Sequence, residues 1–91
     1  MITTITKRDG RVVPFEQEKI EQAIEKAFMA SGSRKSTDTA KELAQLVVDT
    51  IERDETVESS PSVEQVQDTV EKVLIEKGFV RSGKAYILYR A

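Results

Sequence analysis

Three basic residues near the amino terminus, Lys7, Arg8 and Lys19, are the side chains of this sequence best suited to binding an anion. They lie close in sequence to the apolar residues Phe15 and Ile20. Arginine offers a planar fork of hydrogen-bond donors and lysine a mobile point charge, so together they can hold a polyphosphate. A purine nucleotide requires charged and apolar groups side by side, and this pairing indicates a site of that kind at one end of the molecule.

The same basic residues also have a purely structural interpretation. Lys7 and Arg8 precede Asp9-Gly10, and charged residues at a hairpin tip are commonly just solvated. Lys19 lies in the first or second turn of a predicted helix, where the helix dipole disfavours a cation by a few tenths of a kcal/mol. Lys19 therefore either binds an external anion, or its charge is offset by the neighbouring glutamates. The residues alone leave both interpretations open.

Tyr86, Tyr89 and Arg90 form a second candidate group. Phenol rings can stack on a base or bond a phosphate through the hydroxyl, and Arg90 adds charge. An aromatic pair at the end of a domain more often places one ring in the core and the other at its edge. The core interpretation is favoured for at least one of the two tyrosines.

The composition restricts the classes of function. Ninety-one residues form one domain with a single modest core. The absence of histidine and cysteine removes the commonest general base, the thiol nucleophile, the usual zinc ligands and any disulfide. The formal net charge of -2 gives no general attraction to nucleic acid or anionic membranes, so an anion must be bound by a local cluster. Catalysis and direct nucleic-acid binding are therefore disfavoured.

Several familiar devices are missing from the sequence. There is neither a Gly-x-x-x-x-Gly-Lys-Ser/Thr loop nor a Gly-x-Gly-x-x-Gly turn, which excludes a P-loop enzyme and a dinucleotide domain. Paired carboxylates fall on predicted solvated helix faces, so we expect no catalytic residues and no metal site. No apolar run approaches the roughly 20 residues needed to span a bilayer, and there is no secretory signal. We expect a cytoplasmic protein without a membrane partner.

A hairpin and a first helix are predicted to position the basic residues. Residues 1–6 are rich in Ile and Thr, Asp9-Gly10 is a turn signal, and residues 11–13 predict a return strand that Pro14 ends. Apolar residues then recur every three or four positions, which predicts a helix of about four turns after Phe15 that stops at residues 31–33. Within this first segment Phe15 and Ile20 are expected to wall a pocket, and Ile24 and Phe28 to lie in the core.

Three further helices complete the predicted fold. The second runs from about Thr37, whose hydroxyl can cap it, to near Asp54, and residues 55–61 form a loop. Ser62 and Gln65 form a capping box for the third, which Gly78 ends. A short fourth helix carries residues 85–89. The fold class is α+β, with a small β-hairpin or three-stranded sheet capping a bundle of three to four helices in one domain, residues 1–91. The chain stops within a helical pattern, so we expect a piece of a longer polypeptide.

Five features taken together, in this order, resemble the ATP-cone family. They are Lys7-Arg8-Asp9-Gly10, Val13-Pro14-Phe15, Lys19-Ile20, the third-helix start at residues 63–70, and the closing segment 85–90. The ATP-cone is the regulatory nucleotide-binding domain at the amino terminus of many ribonucleotide reductase large subunits, and it also occurs in a bacterial repressor of reductase genes. The similarity covers nearly the whole chain.

This resemblance implies an allosteric switch in which ATP and dATP compete for one domain, with Mg²⁺ accompanying the nucleotide. The occupant would control the activity and oligomerisation of the attached reductase. By resemblance, the phosphates would meet Lys7, Arg8 and Lys19, and the adenine and sugar would meet Ile5, Phe15 and Ile20. The base edge would meet Val63 to Gln67, and Tyr89 or Arg90 would close the phosphate side. Some family members carry an acid in place of Val13 and a histidine in place of Gln67, so the contacts to ribose and adenine differ.

The resemblance also bears on partners and alternatives. A repressor would place a cysteine-rich zinc ribbon ahead of this domain, and five residues separate Met1 from the motif that begins at Lys7. We therefore expect the catalytic remainder of a reductase as partner, with a nucleotide-dependent homo-oligomer. The Val-Pro-Phe sequence resembles the anaerobic glycyl-radical or cobalamin-dependent classes. The alternatives are the nucleotide-sensing domain of a repressor, a helical protein-docking or DNA-binding module without nucleotide, and a nucleotide hydrolase.

Overall fold

The computed structural model describes residues 2–33, 37–54 and 60–90. Two short strands precede four helices in the chain. The elements are β1 (Thr4–Thr6), β2 (Val12–Pro14), α1 (Gln17–Ala30), α2 (Thr37–Arg53), α3 (Val63–Glu76) and α4 (Val80–Arg90). The predicted α+β architecture of a hairpin and a helical bundle is confirmed.

The hairpin follows from its turn sequence. β1 pairs with β2 in antiparallel register, with Ile5 opposite Val13. At the tip, the Lys7 amide donates to the Arg11 carbonyl at 2.8 Å. Gly10 has a φ of +89°, a left-handed conformation that glycine adopts without steric cost. The sequence predicted either a hairpin or a three-stranded sheet. In place of a third strand, the described residues form a single parallel bridge between Thr6 and Ser62.

The core is built from the apolar rows of α1, α2 and α3, as their spacing of three and four residues predicts. The buried residues of these helices are Ile20, Ile24, Ala27, Phe28, Ala40, Leu43, Ala44, Val47, Val48, Ile51, Val66, Val70, Val73 and Leu74. Ile24, Phe28 and Leu74 are among the largest fully buried side chains. None of the described helices combines the length and the apolar character needed to cross a membrane.

The start and end of α3 match the predicted signals. The Ser62 hydroxyl accepts from the Gln65 amide at 3.1 Å, and the Ser62 amide donates to Gln65 Oε1 at 2.8 Å. This reciprocal pair is a capping box, which satisfies two amides that a helix start leaves open. Beyond Glu76 the chain turns at Gly78, whose φ is +89°.

α4 is longer than its sequence predicted. It begins at Val80 and includes Gly83, a residue that disfavours helix interiors, so periodicity gave no signal for its first turn. Tertiary packing explains the difference, because a Cβ at position 83 would lie 2.9 Å from Ile75 Cγ1. The missing side chain lets α3 and α4 approach closely. Ser82, which is 2% exposed, has its hydroxyl 2.9 Å from that of Ser31.

Two predictions fall partly outside the described residues. Thr37 is the first residue of α2, and the residue before it is not described, so the predicted cap is not observed. Of the predicted loop at residues 55–61, the structure describes Ser60 and Pro61.

Candidate functional site

Two adjoining cavities lie at one end of the bundle, where the hairpin meets the starts of α1 and α3 and the end of α4. The first, the apolar pocket, has a volume of about 170 Å³ and is lined by Ile5, Lys7, Val13, Pro14, Phe15, Glu16, Lys19, Ile20, Val63 and Val66. The second, the cationic cavity, has a volume of about 420 Å³ and is lined by Lys7, Arg8, Asp9, Arg11, Val63, Gln67 and Arg90. Lys7 and Val63 line both, so the two cavities form one continuous surface.

Backbone hydrogen bonds fix the elements around the apolar pocket. The Thr6 amide donates to the Pro61 carbonyl at 2.9 Å, which joins β1 to the start of α3. The Phe15 amide donates to the Thr3 carbonyl at 3.0 Å and extends the hairpin pairing beyond β2. Phe15 is therefore held beside the core, partly buried, while Ile20 is 7% exposed. Ile20 thus lines the pocket and also belongs to the core, where Ile24 and Phe28 follow it along α1.

The hairpin tip supplies the cations on one side of the cationic cavity. Arg11 Nε lies 2.6 Å from Asp9 Oδ2, and Arg8 Nε lies 2.8 Å from Glu64 Oε1. The Arg11 amide and guanidinium both bond the Asp9 carboxylate and lower the pKa of Asp9. Within residues 2–33, 37–54 and 60–90 the ammonium of Lys7 forms no ion pair. Lys7 is thus the cation at the junction of the two cavities that has no carboxylate partner in the described chain.

Arg90 supplies the charge on the other side of the cationic cavity. Its Nη1 atom lies 2.7 Å from Asp68 Oδ1 and 3.3 Å from Glu71 Oε2, and its side chain is 16% exposed. The hydrogen bond to Asp68 raises the pKa of Arg90, so the guanidinium stays charged. These contacts tie the end of α4 to the middle of α3.

Lys19 has a neighbouring glutamate as its partner, as its sequence suggested. Its Nζ lies 2.9 Å from Glu16 Oε2, three residues earlier. The glutamate offsets the unfavourable position of a cation in the first turn of α1. Both side chains also line the apolar pocket, so the pair lies at its rim.

Gln67 carries an unsatisfied polar atom at the cationic cavity. Its Oε1 is buried, and among the described residues it has no hydrogen-bond partner. A buried carbonyl oxygen without a partner costs about 1–3 kcal/mol, and such atoms are uncommon in folded proteins. A ligand that offers a donor to this oxygen would recover that energy.

Tyr86 and Tyr89 differ in burial, as expected for an aromatic pair at the end of a domain. Tyr86 is 4% exposed and lies in the core, whereas Tyr89 is 56% exposed. The Tyr89 ring stands 5.6 Å from Lys26 Nζ and lines neither cavity. Successive helical residues point about 100° apart, and it is Arg90 that faces the cationic cavity. A role for Tyr89 at the nucleotide stays a prediction without geometric support.

Comparison with known proteins identifies the family. The family model described as the ATP cone domain matches residues 3–91. The chain belongs to the ATP-cone family. It is therefore a regulatory nucleotide-binding domain, and the resemblance to this family that the sequence showed is confirmed.

Several relatives of this ATP-cone are reductases. It is 44% identical over 95 residues to the vitamin B12-dependent ribonucleoside-diphosphate reductase of Thermoplasma acidophilum, covering 99% of this chain and 12% of that protein. It is 35% identical to the ribonucleoside-diphosphate reductase subunit alpha of Chlamydia pneumoniae, covering 98% and 9%. It is 32% identical to the anaerobic ribonucleoside-triphosphate reductase of Salmonella typhimurium, covering 99% and 12%. The chain thus spans about a tenth of the length of these proteins.

The structure brings together nine of the ten residues that the sequence named for this ATP-cone. These are Ile5, Lys7, Arg8, Phe15, Lys19, Ile20, Val63, Gln67 and Arg90. Their contact with a nucleotide remains a prediction. Val66 falls within the range 63–67 that the sequence placed at the base edge, whereas Val13 was not named as a contact, and both complete the apolar wall. The hairpin register could have found Val13, because it is paired with Ile5.

Proposed function

We propose that this ATP-cone is the allosteric domain of a ribonucleotide reductase, and that it binds ATP or dATP as effector with Mg²⁺ accompanying the phosphates. The observation that supports this most directly is the junction of the two cavities at Lys7 and Val63. An apolar pocket that opens into a cluster of cations suits a purine joined to a polyphosphate.

The lining suggests how a nucleotide would lie. Adenine fits the apolar pocket against Ile5, Phe15 and Ile20, with Lys19 at the rim. The phosphates fit the cationic cavity, where Arg8 and Arg90 present guanidinium groups. Lys7 lies between the two and suits the phosphate nearest the sugar. Mg²⁺ would neutralise the part of the triphosphate charge that these cations leave.

Discrimination between ATP and dATP depends on a single hydroxyl group. A switch needs only a small difference in the affinity of two conformational states for each nucleotide, typically a coupling of about 1–3 kcal/mol. The unsatisfied Oε1 of Gln67 is an acceptor beside the cationic cavity, which Val63 of the same helix shares with the apolar pocket. It suits either the adenine amino group or a ribose hydroxyl.

The parent protein is proposed from the relatives. All those named above are reductases, of which this domain spans about a tenth, so the catalytic remainder of a reductase is the expected partner. The 44% identity to a vitamin B12-dependent reductase favours a parent of that class. Catalysis belongs to that remainder. We further propose that the bound nucleotide controls a homo-oligomer, for which α4 offers the exposed apolar residues Ile87 and Leu88.

Calorimetric titration of the chain with ATP and with dATP in Mg²⁺ tests nucleotide binding. We expect saturable binding of both, and we expect Lys7→Ala to weaken both alike by about 1.5–3 kcal/mol because a charge-assisted contact is lost. Lys41→Ala, an exposed lysine on α2 away from both cavities, is the matched control and should bind as the wild type does.

Two results would contradict the proposal. One is the absence of heat with either nucleotide from a chain that circular dichroism shows to be folded. The other is an equal effect of the Lys7→Ala and Lys41→Ala changes. Sedimentation velocity with each nucleotide tests the oligomer separately. A DNA gel shift insensitive to ATP would instead support the DNA-binding alternative.

A further inference from the structure

Three carboxylates on one face of α3 hold the two arginines of the cationic cavity. Glu64, Asp68 and Glu71 are spaced by four and three residues, so their side chains point in one direction. Glu64 pairs with Arg8 at 2.8 Å, and Asp68 and Glu71 pair with Arg90 at 2.7 and 3.3 Å. Two separate elements, the hairpin and α4, are thus tied to the same row of acids.

In the structure, acidic side chains neutralise the positive charge of the cationic cavity. The cavity is lined by four basic residues, Lys7, Arg8, Arg11 and Arg90. The carboxylates that pair with its arginines are also four, Asp9, Glu64, Asp68 and Glu71. The group as a whole therefore has no formal net charge. A polyphosphate placed in it would meet repulsion from the acids as well as attraction from the bases.

We propose that Glu64, Asp68 and Glu71 occupy, in the nucleotide-free domain, the arginine donors that phosphate groups take in the bound domain. Binding then exchanges a carboxylate partner for a phosphate partner at Arg8 and Arg90. The inference rests on the proposed function and assigns regulation of the same site to three residues of α3. These acids set the affinity of the site without touching the nucleotide.

The two arginines differ in how firmly they are held. The Arg8–Glu64 pair is open to solvent, with side chains 64% and 47% exposed, whereas the Arg90 side chain is 16% exposed and has two carboxylate partners. Exposed pairs are weak and exchange readily. The exchange at Arg90 is therefore the step that limits affinity.

The exchange of partners at Arg90 also changes the attachment of α4 to the rest of the domain. α4 buries Ser82, Gly83 and Tyr86, and Tyr86 is its large buried side chain, whereas α1 to α3 each bury a row of apolar residues. The Arg90 contacts are thus a main attachment of the last turn of α4 to α3. Transfer of Arg90 to a phosphate loosens that turn.

Removal of one acid tests the proposal by the sign of its effect. Asp68→Asn keeps the shape of a 71%-exposed side chain and removes its charge. We expect it to bind MgATP about threefold to tenfold more tightly than the wild type in calorimetric titration, because one competitor is gone. Without nucleotide it should melt at a lower temperature. Glu76→Gln is the matched control, since it removes one charge from the same helix at a pair with Lys72 of 4.0 Å. It should change affinity less than twofold.

If the acids instead hold the arginines in position for phosphate, Asp68→Asn and Glu71→Gln will both bind ATP more weakly. That result, or unchanged affinity in both variants, would overturn the inference while wild-type binding still supports the proposed function. A wild-type chain that binds neither nucleotide would overturn the proposed function and the inference together.

Amide hydrogen exchange provides an independent readout. Saturating ATP should reduce the protection of residues 86–90 in the wild type, and Asp68→Asn should show reduced protection there before any nucleotide is added. Protection that rises or stays constant with ATP would contradict the release of α4.

Discussion

The hydroxyl groups of Thr6 and Ser60 lie 3.0 Å apart, across 54 residues of sequence. The Thr6 amide also donates to the Pro61 carbonyl at 2.9 Å. These bonds join β1 to the segment that leads into α3. Because Lys7 follows β1 and Val63 begins α3, the two residues shared by both cavities are held at this one connection.

Thr6→Val should damage both stability and binding. The substitution keeps the shape and the strand preference of the side chain but removes the hydroxyl, so we expect a loss of about 1 kcal/mol in the free energy of unfolding. ATP affinity should fall because Lys7 and Val63 are less firmly placed. Urea denaturation and calorimetric titration measure the two effects. Thr4→Val, on the same face of β1, is the control, and equal losses in the two variants would show that the Ser60 contact does not matter.

Ser62→Ala tests the capping box at the start of α3. Loss of the hydroxyl leaves the Gln65 amide without its acceptor, and N-cap substitutions of this kind cost about 1 kcal/mol of stability. The measurement is the urea midpoint at constant m-value. Ser33→Ala, in the turn after α1, should change the midpoint much less. A midpoint unmoved by Ser62→Ala would mean that the box adds nothing to stability.

Local signals explain what the sequence could predict. The turn at Gly10, the capping box at Ser62 and the end of α3 at Gly78 each depend on residues within a few positions of one another. The apolar rows of α1 to α3 follow from periodicity alone. The cavity-lining residues of the hairpin and α1 could be named from the sequence because they are neighbours in it.

Contacts between distant elements explain what the sequence could not predict. The first turn of α4 has no apolar period, and it is fixed by the fit of Gly83 against Ile75. Asp68 and Arg90 are 22 residues apart, so no local sequence pattern predicts their ion pair. The sequence named both Tyr89 and Arg90 for the phosphate side. Which of them faces the cavity depends on the orientation of α4 about its own axis, and the burial of Tyr86 sets that orientation.

The stability of the domain should fall at high pH because of Tyr86. Burial raises the pKa of Tyr86 from 10.0 to about 12, so the fold favours the neutral phenol. The stabilisation is complete below the unfolded pKa and is lost as the pH rises from 10 to about 12. Tyr86→Phe has no such proton to lose, and its free energy of unfolding should decline less than that of the wild type across this range.

The difference in pH dependence between Tyr86→Phe and the wild type isolates this effect, because the two proteins are otherwise identical. Urea denaturation at about pH 9 and about pH 11 provides the comparison. Tyr89→Phe, which removes the exposed phenol, should keep the pH dependence of the wild type. If the free energies of unfolding of Tyr86→Phe and the wild type decline equally between the two pH values, the burial of the phenol is not what couples stability to pH.

Gln67 should show opposite effects on stability and on binding. Its Oε1 is buried without a partner in the described chain, so Gln67→Met, which keeps the length of the side chain, should leave the melting temperature unchanged or raise it. If the oxygen accepts from the nucleotide, the same change removes one hydrogen bond and should weaken ATP binding by about 1 kcal/mol, or roughly fivefold. Gln22→Met, at an exposed position of α1 away from both cavities, controls for the change of residue type. A Gln67→Met variant that melts lower and binds ATP as tightly as the wild type would mean that the oxygen serves the fold and not the nucleotide.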